Sequence, residues 1–200
     1  MHSPINQLRQ NLLHKRNEFS KNPFFSKAYL DLLLNIEIFL SNPNHAFKSI
    51  GFYWPYKNEP DLRQTLLKWQ KSKENRILLL SSVRADNHLD FYSWCETTPM
   101  IKNQFGIPEP DPSSSSVLLM TPDCIFIPCV GWRKYLNHYW RLGYGGGYFD
   151  RTIQNLKQHG AVFKTVGVAY EWQQVTESEW SPLSHDQPLD YVLTNIGLHN

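Results

Sequence analysis

Two hundred residues are enough for one substantial hydrophobic core, so a single domain over residues 1–200 is expected. Hydrophobic residues make up 41% and charged ones 19%, the balance of an ordinary globular chain, which excludes a disordered or low-complexity one. The formal charge is only +2 with Lys and Arg dispersed, so no basic field is available for nucleic acid.

In chain order, the opening run Met1-His-Ser-Pro-Ile-Asn-Gln7 has no apolar leader, and nothing later approaches the ~20 apolar residues of a membrane span. A cytoplasmic monomer with no membrane partner is the expectation. Residues Ile5 to about Phe19 read as a polar amphipathic helix with Leu8, Leu12 and Leu13 on one side. After Asn22-Pro23, the spacing of Phe25, Ala28, Leu32, Ile36 and Phe39 predicts a helix from about Phe24 to Leu40, stopped by Asn42-Pro43-Asn44. Phe47 to Trp54 is aromatic and β-branched, a strand ending at Pro55.

Asn58-Glu59-Pro60-Asp61 is expected to open a helix reaching about Ser72, because proline suits a first helical turn. Arg76 to Leu80 is a short apolar run of the kind found in strands buried on both faces. The middle reads as rich in loops, with Glu109 to Ser116 irregular and Val117 to Met120 a possible short strand. Cys124 to Ile127 is a buried strand, Tyr148 to about His159 a helix, and Val162–Ala169 and Tyr191–Thr194 are further strands. Helices alternating with apolar strands imply an α/β domain around a mostly parallel sheet. Cys95, Cys124 and Cys129 form an odd set without CxxC spacing, which points to a reducing compartment rather than a disulfide framework.

Ligands of open α/β sheets bind beyond the carboxyl ends of the strands. The most unusual loop in the chain follows the Cys124 strand: Arg141-Leu-Gly-Tyr-Gly-Gly-Gly-Tyr-Phe-Asp-Arg151. Its glycines free successive N–H groups to converge on one anion, and the helix that follows adds its own unpaired donors and dipole. Arg141 and Arg151 flank the loop with guanidinium groups suited to phosphate oxygens. Neither the GxxxxGK[ST] nor the dinucleotide-fold spacing is present, so the loop reads either as a polyphosphate cradle of another kind or as a flexible glycine turn ending a strand. Asp150 admits two readings, a carboxylate welcomed by a helix start and a Mg²⁺ ligand beside substrate phosphates, with Asp186 and Asp190 as further carboxylates.

The run RLGYGGGYFDR resembles the signature RLGxGxGYYDR of the 5-formyltetrahydrofolate cyclo-ligase (5,10-methenyltetrahydrofolate synthetase) family. Other segments follow in the family's order: Leu8-Arg9, Tyr53 to Asp61 with Glu59, Asn87 to Phe91, Ile107 to Pro110, Asp123 to Pro128, and His185-Asp186. The resemblance implies a Rossmann-like α/β domain of the ribose-phosphate isomerase/CoA-transferase type, its mostly parallel sheet flanked by helices. It implies ATP-dependent conversion of 5-formyltetrahydrofolate to 5,10-methenyltetrahydrofolate with release of ADP and phosphate, with Mg²⁺ as cofactor. By the same resemblance, Arg9, Arg141, Leu142, Gly143, Tyr144, Gly145, Gly146, Gly147, Tyr148 and Phe149 would hold ATP. Arg141, Tyr148 and Asp150 would serve catalysis, and Asp150 and Asp186 would hold the metal. Glu59 would fix the polar edge of the pterin, with Tyr53, Trp54, Trp132 and Tyr148 lining its faces.

Three stretches depart from the family pattern. Pro4-Ile5-Asn6-Gln7 stands where members usually carry a Lys that reaches ATP phosphate; Lys134 to Trp140 forms a longer aromatic insert; Ser81-Ser82 replaces a proline. Arg133 or Lys134 is expected to fold back over the phosphates in place of that Lys. The alternative to the enzyme is a non-catalytic or drifted folate- or nucleotide-binding member of the same fold.

Overall fold

In the computed structural model, which describes residues 3–200, α1 (Pro4–Phe19) and α2 (Phe25–Ser41) precede the first strand, β1 (Ser49–Phe52). There follow α3 (Arg63–Lys71), β2 (Ile77–Val83), β3 (Leu89–Ser93), β4 (Met100–Lys102), β5 (Pro108–Pro110) and β6 (Cys124–Pro128). The chain ends with β7 (Gly131–Tyr135), β8 (His138–Leu142), α4 (Tyr148–Gln158), β9 (Lys164–Val168), β10 (Tyr191–Thr194) and β11 (Gly197–His199). Seven strands make one sheet in the order β11-β10-β9-β6-β1-β2-β3. The five inner strands are parallel, and β3 and β11 add antiparallel edges.

The inner strands are continuous apolar runs because both faces of the sheet are covered. Successive side chains alternate between two cores. Leu78 and Leu80 of β2, with Cys124 and Phe126 of β6, pack with Leu32, Ile36 and Phe39 of α2 and Leu66 of α3. Leu79, Ile125 and Ile127 face the other way, toward Ile153 of α4. Helix α1 sits over a third cluster in which Leu12 meets Val130, Leu142 and Trp180. No helix among the described residues is long and apolar enough to cross a membrane.

The winding positions the site. From β1 the chain moves outward to β2, then returns to β6 on the other side of β1 and continues outward to β9 and β10. The direction reverses between β1 and β6, and beyond the carboxyl ends of those two strands the connecting segments diverge and leave a crevice.

Four sequence expectations are corrected. Helix α3 does not open at Asn58-Glu59-Pro60-Asp61. Lys57 and Asn58 instead take left-handed φ values of 49° and 60°, and the helix starts at Arg63, whose N–H donates to the Asp61 carboxylate at 3.1 Å. The loop-rich middle contains β3, paired antiparallel to β2, and the small ribbon β4–β5. Val117–Met120 forms no strand and only leans on β3, by a bridge between Leu119 and Tyr92 and a bond from Met120 N–H to the Phe91 carbonyl at 2.9 Å. The aromatic insert is part of a tight hairpin, β7–β8, turned by Leu136 and Asn137, both at positive φ as a two-residue hairpin turn requires.

Candidate functional site

A cavity of about 540 Å³ fills the crevice at the strand reversal. Tyr53, Trp54, Tyr56, Lys57 and Glu59 reach it from the segment after β1; Ser81 and Val83 from β2; and Asn103, Phe105, Ile107 and Glu109 from the β4–β5 ribbon. The glycine loop, residues 143–147, and the first turn of α4 close the opposite side, with Ile5 and Arg9 of α1 and the Trp180–Asp186 segment as the rim.

The glycine loop has the backbone that its sequence implies. Gly145 and Gly147 adopt φ of 101° and 67°, conformations that L side chains resist, and Gly147 forms the start of α4 without any side-chain cap. Among the described residues, no backbone N–H from Tyr144 to Asp150 donates to an acceptor within the protein. The first paired amide is that of Arg151, to the Gly147 carbonyl at 3.0 Å. Unpaired amides at a helix start, opening on a cavity, are what an anionic ligand needs.

Arg141 lies beneath this loop, buried, with one guanidinium nitrogen 2.8 Å from the Asp150 carboxylate. Its Nε is buried without any partner, so the guanidinium retains donor capacity. The second Asp150 oxygen accepts from the Gln187 amide at 3.1 Å. Arg9 donates to the Gly143 carbonyl at 3.0 Å and lies against Gly145; burial lowers its pKa, with Asp186 pulling the other way. Asp186 accepts from the Leu183 amide at 2.7 Å and lines the same rim. Among the described residues, no three His, Cys, Asp or Glu side chains gather around a point fit for a metal ion. Asp150 and Asp186 line the same cavity as carboxylates.

Glu59 is almost fully buried. One oxygen accepts from the Tyr56 amide at 2.8 Å and the other from the Tyr144 hydroxyl at 2.9 Å. Burial pushes its pKa up from 4.5 to about 7; Arg16, the Tyr56 amide, Tyr144 and Arg141 pull it back. Tyr53, also buried, donates to the Pro60 carbonyl at 3.0 Å. Tyr148 meets Phe105 edge to face, with centroids 6.1 Å apart, and both line the cavity with Glu109. Glu109 is buried too, one oxygen accepting from the Val83 amide and the Asn103 amide group, both at 3.1 Å.

Thus Arg9, Tyr53, Trp54, Glu59, residues 141–150 and Asp186 converge on one cavity. Trp132 does not. It is fully buried among Ile127, Ile153 and Ala169, its indole N–H directed at the Tyr170 carbonyl. Arg133 does not fold over the loop either: it is buried, donates to the Trp180 carbonyl and pairs with Glu177 at 3.4 Å. Lys134 lies over the Tyr139 ring at 5.1 Å. Both stand on a hairpin strand whose register holds them away from the loop. Arg151 turns behind the loop, to the Asn87 and Gly146 carbonyls, and supports the cradle instead of lining it.

Arg16 belongs to the same site although no motif contains it. It is buried in α1 and donates to the Lys57 carbonyl at 3.0 Å, the Cys129 carbonyl at 3.3 Å and the Tyr144 hydroxyl. The signal was present, since Leu8, Leu12 and Arg16 follow one another at four-residue spacing on one helix face.

Residues 3–195 match the model of the 5-formyltetrahydrofolate cyclo-ligase family. A protein named 5-formyltetrahydrofolate cyclo-ligase from Haemophilus influenzae is 35% identical over 148 residues, 73% of this chain and 75% of that protein. One of the same name from Mycoplasma pneumoniae is 30% identical over 171 residues, 84% of this chain and 87% of its own. Among solved structures, a 5,10-methenyltetrahydrofolate synthetase from Mycoplasma pneumoniae shares the fold with a TM-score of 0.69 at 22% identity, over 96% of this chain and 98% of that one. The solution structure of the Aquifex aeolicus 5,10-methenyltetrahydrofolate synthetase gives a TM-score of 0.72 at 25% identity, covering 97% of this chain and 91% of that one.

Proposed function

The chain belongs to the 5-formyltetrahydrofolate cyclo-ligase family, and from that premise we propose how its own residues carry out ATP-dependent closure of 5-formyltetrahydrofolate to 5,10-methenyltetrahydrofolate, with release of ADP and phosphate. The observation that carries the proposal is the convergence of an uncapped glycine loop and two buried carboxylates on a single cavity.

The chemical obstacle is the N5-formyl group, an amide whose carbon is a poor electrophile and whose oxygen leaves badly. Attack of the formyl oxygen on the γ-phosphorus breaks the bond to ADP and turns that oxygen into a phosphate ester. N10 then attacks the formyl carbon, the carbon–oxygen bond breaks, and phosphate leaves with the electron pair as N10 loses its proton. Such a sequence needs mainly positioning and charge neutralisation from the protein.

The amides of residues 144–150 and the donors of Arg141 and Arg9 face the triphosphate, and Lys57, also on the cavity wall, is a further cation within the same space. Asp150 and Asp186 would be the protein groups to hold Mg²⁺, which would supply neutralisation of phosphate charge. Glu59 and Glu109 present acceptors to the N–H edge of the pterin, while Tyr53, Trp54, Phe105 and Tyr148 supply flat walls. The reading is completed by a monomer, every lining residue named above lying on one chain, and by a cytoplasmic setting, where ATP and reduced folate are both at hand.

Oxygen-18 placed in the formyl group of the substrate tests the chemistry. The label should emerge in inorganic phosphate, one atom per turnover. Product formed with unlabelled phosphate would overturn the phosphorylated intermediate.

A further inference from the structure

One side chain of the glycine loop reaches out of it. The Tyr144 hydroxyl crosses to the segment after β1, donating to Glu59 at 2.9 Å and accepting from Arg16 of α1. Its ring tilts against Tyr56, with centroids 6.0 Å apart. Arg16 cannot follow Glu59 if this link is cut, because two backbone carbonyls, of Lys57 and Cys129, hold its other nitrogens. The loop itself has separate supports: Arg9 holds the Gly143 carbonyl and Arg151 the Gly146 carbonyl. The contact to Glu59 is therefore not needed to keep the loop in shape.

We propose that Tyr144 is a positioning residue for the folate: its hydroxyl, oriented by Arg16, fixes the Glu59 carboxylate at the junction between the glycine loop and the pterin wall. This rests on the reading of the cavity as the site of the cyclo-ligase reaction. The arrangement also governs protonation. Glu59 is faced by Arg16 from α1, Arg141 from β8, Tyr144 from the loop, and the neutral groups of Tyr53 and Cys129 from the strand ends. Tyr144 supplies a donor that favours the ionised carboxylate. Its removal should leave Glu59 harder to ionise and less firmly placed.

The test is a set of three variants, Tyr144→Phe, Glu59→Gln and the double variant, each checked for native circular dichroism. Turnover would be followed against pH with 5-formyltetrahydrofolate and ATP varied separately. In Tyr144→Phe the KM for the folate should rise about tenfold, the loss expected for one hydrogen bond to a charged group, while the KM for ATP changes far less. The acidic limb of kcat/KM for the folate should move to higher pH in Tyr144→Phe. In Glu59→Gln that limb should disappear, and adding Tyr144→Phe should cause little further loss. An unmoved limb, or an equal loss at every pH that persists in the Glu59→Gln background, would show that Tyr144 is merely structural and overturn the proposal. A folded parent protein without turnover at any pH would instead overturn the reading of the cavity itself, and the proposal with it.

Discussion

Gly143 gives the most direct access to the phosphate-binding arrangement. A methyl group placed there would lie 2.5 Å from one terminal nitrogen of Arg141 and 3.3 Å from its Cζ. Non-bonded carbon and nitrogen rest at roughly 3.5 Å, so Gly143→Ala forces a displacement of about 1 Å. The guanidinium has little room to retreat: its side chain is 5% exposed, held at 2.8 Å to Asp150 and lying over Phe149. If it moves, the pair with Asp150 lengthens beyond hydrogen-bonding range. If the backbone lifts instead, the Gly143 carbonyl leaves Arg9, which it meets at 3.0 Å. Either route forfeits a charge-assisted hydrogen bond worth about 1.5–3 kcal/mol in the phosphate-binding arrangement, a tenfold to hundredfold change in affinity. We expect the KM for ATP to rise by that factor in Gly143→Ala, measured by initial rates at saturating folate, with the KM for the folate changed much less. A folded Gly143→Ala protein with its ATP KM unaltered would refute the idea that loop and guanidinium form one phosphate-binding unit.

Asp150→Asn should impair more than metal binding, since it also uncompensates the buried Arg141; we expect a loss of about 3–5 kcal/mol, seen as a lower Tm, together with a weaker response of the rate to added Mg²⁺. The Glu59 pKa is raised in the folded state, so its contribution to stability is fully present below pH 4.5 and is lost as pH rises through about 7. Thermal melts should therefore show Glu59→Gln gaining on the parent between those values, by up to about 3 kcal/mol, and a constant difference would contradict the burial of an ionisable carboxylate. Trp132→Phe and Arg133→Ala should each lower Tm while leaving both KM values near those of the parent, because neither side chain reaches the cavity; a selective rise in the folate or ATP KM would restore them to the site.

What the sequence made legible follows from how each segment is buried. Cys124–Ile127 and Leu78–Leu80 announce themselves as strands because sheet and helices cover both faces, leaving no polar residue to interrupt the run. Strand β3 stayed hidden because it is an edge whose Asp90 and Tyr92 face partly outward, so its pattern resembles a loop. The β7–β8 hairpin leaves no turn signal in the sequence because its turn is Leu136-Asn137 rather than a glycine-containing pair, even though the backbone is the usual one. Trp132 and Arg133 lie away from the cavity because a strand's alternation, not its distance from the glycine loop along the chain, decides where its side chains go. The glycine loop was legible because positive φ and open amides demand glycine. The contacts of Glu59 were not, because they depend on a left-handed turn at Lys57-Asn58 and on an arginine 43 positions earlier, neither of which leaves a local pattern.

The most direct measurement is a near-ultraviolet absorbance trace of the purified protein with 5-formyltetrahydrofolate and ATP, run alongside an assay of ADP. The 5,10-methenyl product absorbs there and the substrate does not. Residues 3–195 and the cavity they build predict a rise in absorbance that requires ATP, is matched one to one by ADP, and is lost in Arg141→Ala. Binding of both ligands without any absorbance change, or product formation independent of ATP, would contradict it.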